Sequence, residues 1–182
     1  ARLAMEMNRP RAAQDAAALV LRNDGRVVAT IVDSPANWLR HRPRSASPAG
    51  HELELLALMR VAASDPELAA GLLSDTWGER LSPSQTATAW AHTAKHAAIK
   101  QQPAAAAYAR RAWQVWDAAA RHAAPPPWSD DLLAWHVRAA LRQPAGEASR
   151  WTLMTRAIDA MSSDEQRDSA WVYWRARATQ AS

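Results

Sequence analysis

His92 and His96 stand four residues apart in the stretch AWAHTAKHAAIK, a spacing that sets two imidazoles on one face of a helix and could offer both to a metal ion. No Glu follows His92, so the general base of the helical zinc-protease pattern is missing. His122 and His136 lie too far along the chain for spacing to nominate a third ligand. The pair therefore reads as solvated or capping histidines. Two pairs of carboxylates, Asp130 with Asp131 and Asp164 with Glu165, could in principle share acid–base work. Each follows a serine at an expected helix start, where the peptide dipole already favours negative charge, so both read as caps. The chain has no Cys, which removes thiol chemistry, cysteine-based zinc sites and disulfides. It also lacks the Gly-x-Ser-x-Gly elbow and the glycine-rich phosphate loops. We nominate no catalytic residue, no cofactor-binding residue and no metal ligand, expect no cofactor, and assign no substrate-contact residue from spacing alone.

Ten Trp and no Phe make tryptophan the main source of large apolar volume. Trp113, Trp116, Trp151, Trp171 and Trp174 fall on helical stripes and are expected in the core. Trp38, Trp77 and Trp128 lie near turns and are the better candidates for exposed contact with sugars or bases.

The elements that must hold these side chains are helices. Alanine is the commonest residue and glycine is scarce, with 5 in 182 residues. Apolar residues recur at helical steps: Leu133, Val137, Ala140 and Leu141; Trp151, Met154, Ile158 and Met161; Trp171, Trp174 and Ala178; Tyr108, Ala112, Val115 and Ala119. Trp90, Ala91, Ala94, Ala97 and Ala98 define the helix before the last of these stripes. Ser82-Pro83-Ser84-Gln85 and Ser163-Asp164-Glu165-Gln166 have the form of capping boxes, Ser129 caps Asp130-Asp131, and Asp65-Pro66-Glu67 opens a helix running to about Ser74. The stretch 23–33, with Val27, Val28, Ile31 and Val32, could be a short strand, but no second strand offers to pair with it, so helix or irregular structure is expected. Altogether the pattern predicts an all-α chain of about eight to ten helices of roughly 10–20 residues. The expected architecture is an irregular helical-hairpin superhelix, an α-solenoid of tetratricopeptide-like character without one central apolar helix, spanning 1–182 as a single region. A loop or looser packing is expected near 42–50, and turns near 124–128 and 143–146.

A pI near 10.3 and a net charge of +4 invite a nucleic-acid reading. The excess is small and the arginines are scattered over every expected helix, so no nucleic-acid partner is expected. No apolar run approaches the roughly 20 residues of a membrane span, so none is expected. The chain starts at Ala1 rather than Met, and reads as a mature or trimmed product.

The stretch AIDAMSSDEQRDSAWVYWRARA at 157–178 resembles a segment of the soluble lytic murein transglycosylases, where a helix ending in AI-x-x-M meets E-Q-R-x-x-A-W-x-Y-W-x-A-R-A. LAWHVRAAL at 133–141 is similar to the helix before it, and 90–113, with AAIK at 97–100 and YARRA at 108–112, to earlier repeats. About the last 100 residues carry the likeness, and the first 80 match more loosely. In that family a long helical superhelix precedes a lysozyme-like domain that cleaves peptidoglycan glycan strands in the periplasm, leaving 1,6-anhydro ends. The resemblance thus implies a periplasmic location, peptidoglycan as partner through the parent enzyme, and a catalytic domain as neighbour. The family's catalytic acid is a Glu in a Glu-Ser-x-Phe context; none of the seven Glu here is followed by Ser, and Phe is absent, so no catalytic residue carries over. The chain would by itself be a non-catalytic part of a carbon–oxygen lyase. Two other readings stand beside this one: a tetratricopeptide-like protein-interaction scaffold without a cell-wall role, and RNA binding by basic helical repeats.

Overall fold

The computed structural model describes residues 1–7, 9–21, 25–42, 47–123, 127–144 and 146–181, and among them every regular element is helical. The order is α1 (Arg2–Glu6), α2 (Pro10–Leu21), α3 (Gly25–Asp33), α4 (Pro35–His41), α5 (Pro48–Ser64), α6 (Pro66–Leu72), a π-helical turn (Leu73–Trp77), α7 (Gly78–Arg80), α8 (Pro83–Ile99), α9 (Ala105–Ala120), α10 (Asp130–Leu141), α11 (Ala148–Asp159), a 3-10 turn (Glu165–Arg167) and α12 (Ser169–Ala181). The all-α expectation is met. The segment that could have been a strand is α3, which buries Val28 and Ile31.

Local chemistry sets the boundaries. Ser82 and Gln85 close the expected capping box at α8, with Ser82 N–H donating to Gln85 Oε1 at 3.2 Å and Gln85 N–H to Ser82 Oγ at 3.3 Å. Asp65 caps α6 through Leu68 N–H at 3.0 Å, and Ser129 caps α10 through Leu132 N–H at 3.2 Å. The second expected box, at 163–166, does not form. Ser162 accepts from Glu165 N–H at 3.3 Å to make the 3-10 turn, and α12 starts later, with Asp168 accepting from Ala170 N–H at 2.8 Å. The reason lies outside the segment: Asp130 takes Ser162 N–H at 2.7 Å and fixes that turn against the start of α10. Near 42–50 the expected loop is shorter than the sequence suggests, since Ser47 caps a helix already under way at Pro48. Residues 43–46, 124–126 and 145 of the three expected breaks lie outside the described residues.

The helix opening at Asp65 was expected to run to about Ser74, but its regular turns stop at Leu72 and widen into the π turn, which swings Trp77 into the core. Gly78 is required where that turn closes. A Cβ on residue 78 would collide with the Leu73 carbonyl oxygen, a backbone atom that cannot rotate away. Gly78→Ala is expected to destabilise the fold by about 1–3 kcal/mol, read as a lower urea midpoint with an unchanged slope; an unaltered midpoint would refute the steric account. The α8–α9 turn closes differently. Gln102 N–H bonds Ala97 O at 2.9 Å and Gln101 N–H bonds Ala98 O at 3.1 Å, with Gln101 at φ 58, a left-handed helix end in which Gln takes the usual place of Gly.

The packing has a centre that periodicity did not announce. Helix α8 forms a hairpin with α9 and also packs against α5, α6 and α10, while α10 pairs with α11, α11 with α12, and α5 with α1, α3, α4 and α6. Ala87, Ala89, Trp90, Ala91, His92, Thr93, Ala94, Lys95, Ala97 and Ala98 are all buried, on every side of α8. An Ala- and Thr-rich helix shows little contrast between faces, so it reads as one-sided in sequence. The same small side chains let four neighbours approach closely. The expectation of no central helix is corrected accordingly.

Candidate functional site

His92 and His96 are not the solvated pair expected: His92 is buried and His96 half-buried. His92 is 3% exposed and His136 fully buried, with His136 Nε2 against Ala91 O at 3.2 Å. Burial drives all three α8/α10 imidazoles towards the neutral form: His136 is pushed down to about 4, His96 to about 4 by burial and by Lys95, Lys100 and Arg60, and His92 well below its ordinary value by burial and by His96 and Lys95. Among the described residues no cluster of three or more His, Asp or Glu could hold a metal ion.

The carboxylate pairs divide: Asp130 and Asp131 stand in the first turn of α10, as expected, whereas Asp164 and Glu165 open only a 3-10 turn. Asp130 holds the turn at Ser162, while Asp131 Oδ2 accepts from Lys95 Nζ at 2.6 Å. Asp164 pairs with Arg167 at 2.8 Å, and Glu165 accepts from Trp171 Nε1 at 2.8 Å.

The tryptophans divide against expectation. Trp77 and Trp128, thought exposed from their place near turns, are buried, and Trp38 is half-buried beneath Arg42, whose guanidinium carbon lies 4.6 Å from the ring centroid. Trp128 leans on Trp113 and Trp116, each 4.6 Å centroid to centroid, and on His136 at 5.5 Å. Of the five expected on core stripes, Trp113 and Trp171 are buried, whereas Trp116, Trp151 and Trp174 are half-buried. Proximity to a turn in sequence says nothing about which way a ring is carried once two helices meet there.

What the sequence did not point to is the groove between α9 and α11. These second helices of adjacent hairpins diverge and leave a cavity of about 570 Å³ lined by Trp113, Trp151, Thr152, Thr155, Arg156 and Asp159. A smaller one of about 260 Å³ continues it past Arg110, Gln114 and Ser149. Both lie within or near the usual size of ligand sites, about 300–1,000 Å³. Arg156 spans the groove: it stacks on Trp113, 4.3 Å from the centroid, and donates to Asp117 at 2.9 Å, which holds the Asp117 carboxyl below its usual range. Arg110 reaches Ser149 Oγ at 3.3 Å further along. The walls offer guanidinium, hydroxyl and amide groups over an aromatic floor, an arrangement able to hold an oxyanion or a polyhydroxylated ligand. It contains no patterned nucleophile or acid–base pair. Arg residues on the same side of successive helices would have flagged it, had the splay of α9 from α11 been foreseeable.

Fold and groove together define an all-helical protein built of packed hairpins with an arginine- and hydroxyl-lined cleft between two of them. No family model, curated protein or solved structure matches the chain. Among the described residues no helix is long and apolar enough to cross a membrane.

Proposed function

We propose that the chain is the non-catalytic helical part of a periplasmic lytic transglycosylase, one that helps position or enclose peptidoglycan beside a catalytic domain. The observation that carries this reading is the side-by-side packing of α5, α8 and α10, the first helices of consecutive hairpins, with α6, α9 and α11 as their partners. Such stacking is the unit from which a superhelix is extended, and it supports the likeness at 133–141 and 157–178. The groove between α9 and α11 supplies a contact surface: Arg110 and Arg156 suit the carboxylates of the wall's peptides, and the threonines suit its hydroxyls.

Purified chain is expected to be retained by cell-wall sacculi at low salt and to release no anhydro-muropeptide. Arg110→Gln combined with Arg156→Gln should weaken retention about tenfold, the loss of one charge-assisted hydrogen bond. Retention equal to that of an unrelated basic protein of the same charge would end this reading. A protein-interaction scaffold is the second reading, favoured by Val172 and Tyr173, which are more than half exposed on α12. It predicts no sacculus retention at any salt concentration.

A further inference from the structure

On the other side of α8 from the groove's Trp113 wall, a second cavity of about 470 Å³ is bounded by α1, α5, α8 and α10, with Glu6, Met7, Arg60, Lys95, His96, Ile99, Asp131 and Trp135 among its lining. We propose that this cavity binds a small organic carboxylate whose apolar tail lies against Ile99, Met7 and Trp135. The inference is independent of the cell-wall reading and uses none of the groove residues.

Three observations carry it. The chain has only two lysines, Lys95 and Lys100, against twenty arginines; Lys95 lines this cavity and Lys100 bonds Ser64 at its edge. Lys95 is 5% exposed, and two of the three N–H donors of its ammonium are engaged, by Glu6 O at 3.2 Å and Asp131 Oδ2 at 2.6 Å. Burying an ammonium is costly, so a third acceptor at that position is favoured. Lys100 approaches the rim from the end of α8, donating to Ser64 O at 2.9 Å, and Arg60 lines the wall from α5.

Arg60 and Lys95 balance Glu6 and Asp131 along the walls, and Lys100 at the rim tips the sum to positive. His96 is held neutral by burial together with Lys95, Lys100 and Arg60, and only Asp131 opposes them. Glu6, the remaining carboxylate, is engaged by the Ser129 hydroxyl. An entering carboxylate therefore meets more positive than negative charge, with the Arg60 guanidinium, whose Nε donates to Val32 O at 3.3 Å, in the wall beside it. Beside these cations stand Ile99, 43% exposed, and Met7, 52% exposed. Large apolar side chains left in water at the mouth of a cationic cavity favour a ligand that is anionic at one end and apolar at the other.

The test is an NMR titration of the full chain at pH 7 with hexanoate, with inorganic phosphate as the second arm, following the His96 ring Cε1–H signal. Hexanoate should produce a saturable shift and raise the pH at which His96 protonates, because the bound anion offsets its cationic neighbours. Arg60→Gln should weaken binding by about tenfold. Lys100→Gln, at an exposed position where folding is not at risk, should weaken it severalfold. Arg156→Gln in the other groove should leave it unchanged. Phosphate binding as tightly as hexanoate would overturn the apolar-tail half of the proposal. No saturable response to either, or affinity in Lys100→Gln and Arg60→Gln equal to that of the parent chain, would overturn it altogether.

Discussion

Lowering the pH from 7.5 to 4.5 is expected to cost this fold much of its stability, the loss starting near pH 6.5, above the range in which carboxylates titrate. His136 has an ordinary value of 6.5 and is pushed down to about 4 in the folded chain, because burial penalises the imidazolium more than the bond to Ala91 O can restore. Its folded value lies below its unfolded one, so its contribution is fully present above 6.5 and is lost as the pH falls from there towards 4. The unfolded chain takes up the proton that the folded chain refuses. The gap between 6.5 and about 4, at 1.36 kcal/mol for each pH unit, sets the loss from His136 at about 3 kcal/mol. His92, fully buried, moves in the same direction, and His96, part of whose ring water reaches, adds less. Against a typical total of about 5–15 kcal/mol this is a large share. Thermal unfolding followed by circular dichroism at pH 7.5, 5.5 and 4.5 reads it directly. His136→Leu, which keeps the volume and removes the titration, should flatten the profile between pH 6.5 and 4. Equal midpoints at pH 7.5 and 4.5 in the parent chain would contradict the account.

Trp113→Ala is expected to be the most damaging single substitution, at about 3–5 kcal/mol. Trp113 is 5% exposed and touches both the tryptophan cluster and the groove. On one side its ring meets Trp128 at 4.6 Å, Trp116 at 6.0 Å and His136 at 6.3 Å. On the other it floors the groove beneath Arg156. Truncation leaves a cavity between α9 and α10 and removes the platform that aligns Arg156 with Asp117. Two readouts should change together: the urea midpoint falls, and the near-ultraviolet signal of the coupled indoles collapses. Trp113→Phe, which keeps a ring to fill the space, should recover more than half of the loss. A truncation costing under about 1 kcal/mol would mean that the groove collapses freely around the gap.

The residues most exposed to misreading were those whose neighbours come from another helix. Trp128 stands after a proline run and was expected outside, yet its ring completes a cluster with Trp113 and Trp116. His92 and His96 kept their helical spacing, but His92 lost its solvent and His96 part of it, because α5 and α10 close over α8. Lys95 owes its burial to α1 and α10, which set Glu6 O and Asp131 around it.

Helical class, the caps at Ser82, Asp65 and Ser129, and the stripes through Leu133–Val137 and Met154–Ile158 could be read along the chain, since each depends on groups within about four residues of one another. The centrality of α8, the inward swing of Trp77, the groove under Arg156 and the cationic cavity around Lys95 were decided only when helices distant in sequence packed. Alanine is the physical reason for that division. It favours helix at every position, but with a single methyl group it marks no face, so the chain announces its rods clearly and leaves their arrangement to the few large side chains that must interlock.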